Sequence, residues 1–482
     1  VLDQLTDAGL FRQQCFVGGK WMGEGKTTIE NPHDGSALGQ VPLFGAVETK
    51  LTIEAANAAL PEWRARTAKE RSDLLARWAA LCRERVEDLA RILTLEEGKP
   101  LAEARGEMNY GTGFLQWFAE EARRVYGDTI LANTTRHRIV TLKQPVGVTA
   151  AITPWNFPHA MITRKAGPSL AAGCTMVVKP APETPFSALA LAELAQRAGI
   201  PAGVFNVITG DAVEIGKELT SNPIVRKLSF TGSTEVGRIL LRECAGTIKK
   251  VTMELGGNAP FVIFDDAEMD KAIAGVVASK FRNAGQTCVC ANRIFVQDGI
   301  YDAFAAKLNE AVSGLKVGNG LDEGVSIGPL INQQALDKVE AHVSDALGHG
   351  AKLVTGGARH ELGGLYYQPT ILTDVKPESL LMREETFGPV APLILFRDEA
   401  EVVRMSNDTE SGLAAYFYTR DVGRAWRVAE ALEYGMVGIN EGMISTEVAP
   451  FGGVKQSGLG REGSKYGIEE YLELKYLCFN IS

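Results

Sequence analysis

The sequence predicts an α/β protein with a doubly wound sheet. Short apolar runs rich in β-branched residues have the composition of buried parallel strands, and they lie at 146–153, 174–178, 204–208 and 227–230. Helical spacing of apolar residues separates these runs, most clearly at 187–198. Strands and helices that alternate along a chain are typical of this fold class.

Further elements flank this set on both sides. Residues 46–63 and 69–95 show helical spacing, and residues 138–144 alternate like a strand with one exposed face. A second set of predicted strands follows Pro260, at 261–264, 293–296 and 391–396, and a last strand lies at 471–478. We therefore place the main boundary between two α/β domains near residues 255–260.

The composition is that of an ordinary globular protein. The chain has 482 residues, enough for two or three domains, and a net charge of −9 without any block of Lys and Arg. No apolar run is long enough to cross a bilayer, so we expect neither a nucleic-acid nor a membrane partner. The seven cysteines are scattered and odd in number, which favours a reducing compartment. We expect the cytoplasm, or the mitochondrial matrix if a leader has been removed.

Two glycine-containing segments carry groups suited to covalent catalysis. Residues 281–290 (FRNAGQTCVC) contain Cys288, and residues 253–260 (MELGGNAP) contain Glu254. A thiolate can attack a carbonyl carbon, and a nearby carboxylate can activate the water that releases the thioester. A single Cys or Glu more often has a packing or surface role, so this prediction depends on both segments together.

Two loops after predicted strands are suited to binding charge. Asn156, in residues 153–158 (TPWNFP), offers a side-chain amide for a developing oxyanion at the edge where open sheets bind ligands. Residues 230–237 (FTGSTEVG) lead from a strand into a helix, whose first N–H groups suit a pyrophosphate. A GxGxxG pattern at 458–463 is rejected as a dinucleotide fingerprint, because the remaining chain is too short for a βαβ unit.

These segments closely resemble the signatures of the aldehyde dehydrogenase superfamily, and the resemblance extends over nearly the whole chain. It implies that Cys288 is the nucleophile, Glu254 the general base and Asn156 the oxyanion donor. It also implies an aldehyde dehydrogenase-like fold with a Rossmann-type cofactor domain, an α/β catalytic domain and a β oligomerisation arm that makes a homodimer or homotetramer. We assign these units in that order to residues 1–123 with 145–255, 256–465, and 124–144 with 466–482.

The resemblance implies NAD or NADP as cofactor. Lys179 matches the ribose-binding lysine, and Glu385 with Phe387 match the clamp on the nicotinamide ribose. Position 182 commonly carries Glu in NAD enzymes of the family or a small hydroxyl residue in NADP enzymes, whereas this chain has Pro182, so the preference stays open. The cofactor positions that the resemblance implies are Trp155, Lys179, Pro182, Gly210, Gly232, Ser233, Gly237, Leu255, Glu385 and Phe387.

Three further positions resemble those of the succinate semialdehyde dehydrogenase group. Arg164, Arg282 and Ser445 fall where that group holds the substrate carboxylate, and guanidinium and hydroxyl donors suit such a carboxylate. The implied reaction is NAD(P)-dependent oxidation of succinate semialdehyde to succinate. Glutarate semialdehyde and 2-oxoglutarate semialdehyde are alternative substrates, and a catalytically silent structural or binding protein on the same fold is the alternative of another class.

Cys290 lies two residues after the predicted nucleophile. In an extended segment, residues i and i+2 have Cα atoms roughly 6–7 Å apart, near the upper limit of disulfide geometry. We therefore predict a strained, reversible Cys288–Cys290 disulfide that switches the enzyme off under oxidation. No Cys/His cluster has metal-ligand spacing, so no metal site is predicted.

Overall fold

The computed structural model describes residues 1–482 and contains twenty strands and fifteen α-helices. The strands are β1 (Cys15–Val17), β2 (Lys20–Met22), β3 (Thr27–Glu30), β4 (Ala37–Val41), β5 (Thr129–Ile130), β6 (His137–Pro145), β7 (Val148–Ile152), β8 (Thr175–Lys179), β9 (Phe205–Val207), β10 (Val225–Thr231), β11 (Lys250–Glu254), β12 (Ala259–Ile263), β13 (Ala291–Gln297), β14 (Lys352–Thr355), β15 (Thr370–Thr373), β16 (Val390–Phe396), β17 (Ala414–Tyr418), β18 (Met436–Ile439), β19 (Gly458–Leu459) and β20 (Leu472–Asn480).

The helices connect these strands. They are α1 (Ala46–Ala65), α2 (Ala68–Glu84), α3 (Val86–Glu97), α4 (Leu101–Glu121), α5 (Ala160–Ala172), α6 (Pro185–Ala198), α7 (Ala212–Ser221), α8 (Thr234–Cys244), α9 (Met269–Lys280), α10 (Tyr301–Ser313), α11 (Gln333–Gly348), α12 (Leu380–Arg383), α13 (Glu399–Asn407), α14 (Val422–Ala431) and α15 (Tyr466–Glu469). No helix is both long and apolar enough to span a membrane.

The first large sheet is doubly wound, as predicted. Its eight strands run in the order β19-β11-β10-β7-β8-β9-β1-β2, and the five strands β7 to β11 are parallel to one another. Helices α5 and α6 pack on one face and α7 and α8 on the other, together with α1. Strands β7 and β8 are almost wholly buried, which explains why their sequences are nearly continuous apolar runs.

The second large sheet has seven strands in the order β14-β15-β16-β13-β12-β17-β18. All neighbours are parallel except β14 and β15. Only residues 255–258 separate β11 of the first sheet from β12 of the second. The chain therefore passes between the two sheets within the MELGGNAP segment, so that Glu254 ends a strand of one sheet and Ala259 begins a strand of the other.

Two features of the first sheet and its helices differ from the prediction. The helical pattern at 69–95 is divided into α2 and α3, because Arg85 leaves the helical conformation and its N–H bonds to the Cys82 carbonyl. Three antiparallel strands, β1, β2 and β19, extend the edges of the sheet and were not predicted. They are too short to give a periodic signal of their own.

A three-stranded sheet stands apart from both large sheets. β6 and β20 pair antiparallel over nine residues, from Leu472↔Pro145 to Asn480↔His137, and β5 pairs with the other side of β6. β20 is thus an edge strand with one unpaired side. It exposes Leu474, Tyr476 and Phe479, each more than half accessible. Exposed apolar edge strands promote association.

We predict that this sheet joins subunits in a homodimer or homotetramer. Light scattering of the parent protein at micromolar concentration should give the mass of one of these assemblies. Replacing Leu474 and Phe479 together by Lys should shift the mass to a smaller species, because charges at an edge strand oppose pairing. Leu362→Lys, a similarly exposed position outside this sheet, is the control. A monomeric parent, or a double variant with unchanged mass, would contradict the prediction.

Candidate active site

The carboxyl ends of the parallel strands of the first sheet meet at one edge. Asn156 follows β7, Lys179 ends β8, Gly232 follows β10 and Glu254 ends β11. Because parallel strands place all their carboxyl ends together, four separate sequence motifs converge there. Cys288 approaches the same edge from the second sheet, in the segment between α9 and β13.

A cleft of about 340 Å³ lies at this edge. Cys288 and Glu254 both line it, together with Asn156. Six of the predicted cofactor positions also line it: Trp155, Gly232, Ser233, Leu255, Glu385 and Phe387. The structure therefore brings the two catalytic segments and six of the ten predicted cofactor positions into one cavity.

Cys288 occupies a turn that follows a left-handed stretch of backbone. Asn283 (φ 51°), Ala284 (φ 54°) and Gly285 (φ 77°) are all left-handed, and left-handed Ala costs about 1–2 kcal/mol. A Cβ on Gly285 would lie 2.1 Å from the Gly388 carbonyl oxygen, so glycine is required there. The Cys288 residue is half-buried, and burial, and then the charge of Glu385, raises the pKa of its thiol to about 12.

Glu254 is buried without a hydrogen-bond partner. Both carboxylate oxygens lack one, although the side chain lines the cleft. Burial, and then the nearby carboxylate of Glu462, holds the pKa of Glu254 well above its ordinary value, while Arg164 and Lys165 oppose that shift. Buried carboxylates without partners are costly, and an elevated pKa suits a general base near neutral pH.

Glycine at position 257 lets the connection between the two sheets pack closely on the nucleophile turn. A Cβ there would lie 2.5 Å from the Cys288 carbonyl oxygen, a distance no side chain can occupy. The Gly257 N–H also donates to Glu385 Oε1 at 3.1 Å. The connection that follows Glu254 and the turn that carries Cys288 are therefore in direct backbone contact.

Asn156 is almost wholly buried, and its side chain reaches the nucleophile segment. Its Nδ2 donates to the Gln286 carbonyl at 3.0 Å, two residues before Cys288. Its own carbonyl oxygen accepts hydrogen bonds from Lys99 Nζ at 2.6 Å and Asn283 Nδ2 at 3.2 Å. An amide carries two N–H donors, so one remains available to a ligand in the cleft.

Two aromatic rings close one part of the cleft. Trp155 and Phe387 lie edge to face with ring centroids 5.5 Å apart, and Phe387 has a left-handed backbone (φ 56°). Glu385 lies between this pair and Gly257, and burial raises its pKa to about 7. A second opening of about 990 Å³ shares Ser233, Gly256, Lys338 and Glu385 with the first.

The remaining cofactor positions lie outside the cavity lining. Lys179 is buried and donates only to the Pro180 carbonyl, and burial lowers its pKa to about 8. Pro182 is exposed in the turn after β8. Gly210 lies against Phe44, where a Cβ would lie 2.0 Å from the Phe44 carbonyl oxygen, and Gly237 packs against Leu255. For Gly210 and Gly237 the structure shows a packing contact.

The observed groups fit a nicotinamide dinucleotide. Ser233 caps α8, accepting from the Val236 N–H, and the other N–H groups of a first helical turn have no partner within the helix. That helix start faces the cleft, as an anion site requires. Lys179 retains donor capacity beyond its single bond to the next carbonyl. No group of three or more His, Cys, Asp or Glu residues is placed to hold a metal ion.

A second, narrower pocket opens on the other side of Cys288. It has about 20 Å³ of free volume, and its lining includes Arg164, Arg282 and Ser445. The three positions predicted for a substrate carboxylate are thus together, although they are far apart in the sequence. Arg164 is fully buried and lies over Phe451 at 4.1 Å, and Arg282 lies over Phe157 at 5.3 Å.

Both arginines retain unused donors. Arg164 Nη2 and Arg282 Nε are buried and have no hydrogen-bond partner. Arg164 Nε lies 3.0 Å from Glu462 Oε2, yet neither of these atoms makes a well-aligned hydrogen bond. Buried guanidinium groups with free donors form a site for an anion.

A buried cluster of charges lies behind both pockets. Glu462 Oε1 accepts from Lys165 Nζ at 2.6 Å, and Lys165 also donates to Thr231 at 2.6 Å. Burial alone would raise the pKa of Glu462, but Lys165 and Arg164 hold it below its ordinary value. Glu462 belongs to the GxGxxG pattern that was rejected as a cofactor motif. Its importance was missed because only the fold brings it to Arg164 and Lys165.

The segment around Cys290 is a turn, and the extended geometry predicted for it is wrong. The Cys290 N–H bonds to the Thr287 carbonyl at 3.0 Å, which folds Cys288 and Val289 into the turn. The Cys290 thiol is buried, donates to the Gly285 carbonyl at 3.3 Å and lies 3.7 Å from Lys280 Nζ. The spacing argument for a strained disulfide therefore does not apply, and the redox switch stays an untested prediction.

Several lining residues carried no sequence signal. The main cleft also includes Met161, Asn332, Gln334 and Lys338, and the narrow pocket includes Tyr110 and Phe451. Tyr110 lies on the amphipathic helix α4, where its spacing is that of a core residue. Two other lining residues could have been found, because Phe157 stands inside the TPWNFP segment and Thr231 inside the FTGSTEVG segment.

Comparison with known proteins agrees with the fold and the site. Residues 21–477 match the profile described as "Aldehyde dehydrogenase family". Succinate-semialdehyde dehydrogenase [NADP(+)] of Escherichia coli is 64% identical over 482 residues, 99% of this chain and 100% of the relative. Glutarate-semialdehyde dehydrogenase of Pseudomonas aeruginosa is 65% identical over 478 residues, 98% and 99% of the two chains. The crystal structure of succinate-semialdehyde dehydrogenase from Burkholderia pseudomallei superposes with a TM-score of 0.98 at 60% identity, covering 99% of each chain.

The fold and site define an enzyme that oxidises an aldehyde group. The chain belongs to the aldehyde dehydrogenase family. This confirms the resemblance seen in the sequence and the fold it implied. The alternative of a catalytically silent protein is correspondingly disfavoured.

We predict opposite pH dependences for two buried carboxylates. The pKa of Glu254 is raised on folding, so its contribution to stability is present at low pH and lost as pH rises through the folded-state pKa. Glu254→Gln should therefore melt higher than the parent by at least ~2 °C near pH 9, and the difference should vanish toward about pH 5. Thermal unfolding across this range measures it.

Glu462→Gln is the matched control with the opposite sign. The pKa of Glu462 is lowered on folding, so its stabilisation is present at neutral pH and lost as pH falls through the folded-state pKa. This variant should melt lower than the parent at neutral and high pH. A melting difference for Glu254→Gln that does not change with pH would contradict the assignment of a buried, high-pKa carboxyl.

Proposed function

We propose that the enzyme oxidises succinate semialdehyde to succinate with NAD or NADP. The observation that carries this proposal is the position of Cys288, which lines both the main cleft and the narrow pocket. The pocket presents Arg164, Arg282 and Ser445 on the side away from the cofactor positions. A short aldehyde with a carboxylate at its other end matches this arrangement, because charge-assisted hydrogen bonds fix one end and leave the carbonyl at the thiol.

In this proposal each side chain has one role. The Cys288 thiol loses its proton to solvent, its sulfur adds to the aldehyde carbon, and the resulting alkoxide is stabilised by the free Nδ2 donor of Asn156. A nicotinamide dinucleotide held by the cofactor residues would accept the hydride from that carbon, so that a thioester would remain on Cys288. Glu254 then takes a proton from water as its oxygen attacks the thioester carbonyl, and the thiolate departs from the carboxylic acid.

Two features support the cofactor assignment. The start of α8 at Ser233 offers N–H groups for the pyrophosphate, and Glu385 with Phe387 borders the cleft beside Trp155.

We assign the eight-stranded sheet with its helices to cofactor binding, the seven-stranded sheet to catalysis and the three-stranded sheet to assembly. Pro182 provides no donor for a 2′-hydroxyl, and the E. coli relative is named for NADP(+), so NADP and NAD both remain in the proposal.

Longer semialdehydes are the second candidate. The P. aeruginosa relative is named for glutarate semialdehyde, which needs the same carboxylate grip at a greater distance. Steady-state kinetics with succinate, glutarate and 2-oxoglutarate semialdehydes, each with NAD and with NADP, decides between them.

The seven free cysteines are consistent with the cytoplasm as the proposed location.

We predict distinct defects for the nucleophile and the base. Cys288→Ala should abolish oxidation while leaving cofactor binding intact, because the thiol forms the covalent intermediate. Glu254→Gln should release one burst of reduced cofactor and then stall at the thioester, since only deacylation needs the base. Stopped-flow absorbance and cofactor fluorescence measure both effects. Normal steady-state turnover of Glu254→Gln would remove Glu254 from the base role.

We predict that the two pocket arginines discriminate by charge. Each charge-assisted hydrogen bond contributes roughly 1.5–3 kcal/mol. Arg282→Met or Arg164→Met should therefore lower kcat/KM for succinate semialdehyde by at least about tenfold. Butanal, an uncharged aldehyde of the same carbon count, is the control substrate and should be much less affected. Equal losses on both substrates would indicate structural damage and refute the assignment.

A further inference from the structure

A buried polar network reaches the active site from the N-terminal helices. It begins in the tight connection between α3 and α4, where Glu97, Lys99, Glu103 and Glu107 lie within residues 97–107. Gly98 is left-handed (φ 96°) and ends α3. None of these four acidic and basic side chains lines either pocket, so none contacts the substrate or cofactor positions directly.

Lys99 is the centre of this network. It is only 2% exposed, and its Nζ donates to Glu107 Oε2 at 2.7 Å and to the Asn156 carbonyl at 2.6 Å. Its Nζ also lies 3.9 Å from the centroid of the Phe157 ring. Glu107 uses its other oxygen to accept from the N–H groups of His159 and Ala160, at the start of α5. Lys99 and Glu107 together therefore hold the middle and the C-terminal end of the loop that carries Asn156.

The same network holds the left-handed segment before Cys288. Glu97 Oε1 accepts from Asn283 Nδ2 at 2.7 Å, and Glu103 Oε2 accepts from the Asn283 main-chain N–H at 2.7 Å. Asn283 Nδ2 is also 3.2 Å from the Asn156 carbonyl oxygen. Strained backbone persists only where its surroundings fix it. The carboxylates of Glu97 and Glu103 fix the left-handed backbone at Asn283.

One carbonyl oxygen joins the two halves of the site. Asn156 lies in the loop that follows β7 of the first sheet, and Asn283 lies in the segment that precedes β13 of the second sheet. Lys99 and Asn283 both donate to the Asn156 oxygen. The oxyanion donor and the nucleophile segment are therefore fixed relative to one another through residues that touch neither substrate nor cofactor.

We propose that Lys99 and Asn283 are positioning residues, which hold the Asn156 amide in register with Cys288 for addition to the aldehyde. This inference rests on the proposed function, in which Asn156 stabilises the oxyanion. A displacement of about 1 Å at a catalytic group can cost on the order of 10²-fold in rate. Loss of either positioning residue should thus slow formation of the thioester and leave binding unchanged.

The primary test is Lys99→Met, measured by the rate of the first turnover in stopped flow. We expect a loss of at least about tenfold, with cofactor affinity unchanged. Alkylation of Cys288 by iodoacetamide, followed by peptide mass spectrometry, should stay within about twofold of the parent, because that displacement develops no carbonyl oxyanion. A merely structural defect would change the alkylation rate and the cofactor affinity as well.

Lys249→Met is the matched control. Lys249 is another buried lysine that donates to two main-chain carbonyls, those of Asn222 and Val225, at 2.9 Å each. It precedes β11 and so lies at the amino end of the strands, away from the site. This variant should lose stability without any change in first-turnover rate.

A double-variant comparison separates positioning from general damage. In an Asn156→Ala background, Lys99→Met should cost less than about threefold, because the donor that it positions is already absent. An equal loss in both backgrounds would overturn the proposal, as would a folded Lys99→Met protein with the parent's first-turnover rate. A parent that oxidises no aldehyde would instead refute the proposed function.

Asn283→Gly decides the question if Lys99→Met does not fold. Glycine adopts the left-handed conformation freely and retains the main-chain bond to Glu103, so only the side-chain bonds are lost. We expect a first-turnover loss of at least about fivefold that disappears in the Asn156→Ala background. Asn283→Ala should be slower still, because it also strains the backbone. Parent-like kinetics of Asn283→Gly would overturn the proposal.

Discussion

The site depends on the four-residue connection at 255–258 that joins the two large sheets. This connection packs directly on the nucleophile turn, where Gly257 meets the Cys288 carbonyl, and the nucleophile turn packs in the same way on the segment before β16, where Gly285 meets the Gly388 carbonyl. At both places a Cβ would lie within 2.5 Å of an oxygen, so the approach tolerates no side chain. Everything else in the site follows from this contact, because it places a thiol from one sheet against carboxylate and amide groups from the other.

Charged side chains around Cys288 have buried polar atoms that lack hydrogen-bond partners. Glu254, Arg164, Arg282 and Glu462 each have at least one buried polar atom without a hydrogen bond. Such atoms normally destabilise a fold by roughly 1–3 kcal/mol each, and native proteins contain few of them. These unpaired atoms are grouped around Cys288. They lower the stability of the fold, and they leave donors and acceptors free to bind a ligand or to accept a proton. The surrounding charges of opposite sign, Lys165 in particular, limit the cost.

The sequence predicts the parts of this arrangement that have local signals. The buried strands β7, β8 and β10 are recognisable because full burial removes the polar alternation. The segments with Glu254 and Cys288 are recognisable because the chemistry and the close approach together restrict residues over many consecutive positions. The confirmed family membership follows from those segments.

Other parts depend on contacts between distant residues and have no local signal. Nothing near Glu462 indicates that it will pair with Arg164 and Lys165, which lie almost three hundred residues earlier. The break at Arg85 falls inside continuous helical spacing, and the turn at Cys288–Cys290 lies in a segment whose residues allow an extended chain. In each case tertiary packing decides between conformations that the local sequence permits almost equally.

The acidic connection between α3 and α4 illustrates how a remote segment can determine geometry at a reacting centre. Glu97, Lys99 and Glu107 form a chain of hydrogen bonds in which each carboxylate oxygen has a donor. A fully satisfied buried network is rigid, since moving one member leaves another unpaired in a medium of low dielectric constant. Burial raises the pKa of Glu97 to about 8, yet Lys99 and Asn283 both oppose that shift. The network thus has directional bonds that the Glu254 carboxylate and the Arg282 Nε donor lack. The rigid network lies outside the pockets, whereas groups with unused hydrogen-bonding capacity line them. The fold thus separates the groups that hold the geometry from those that react.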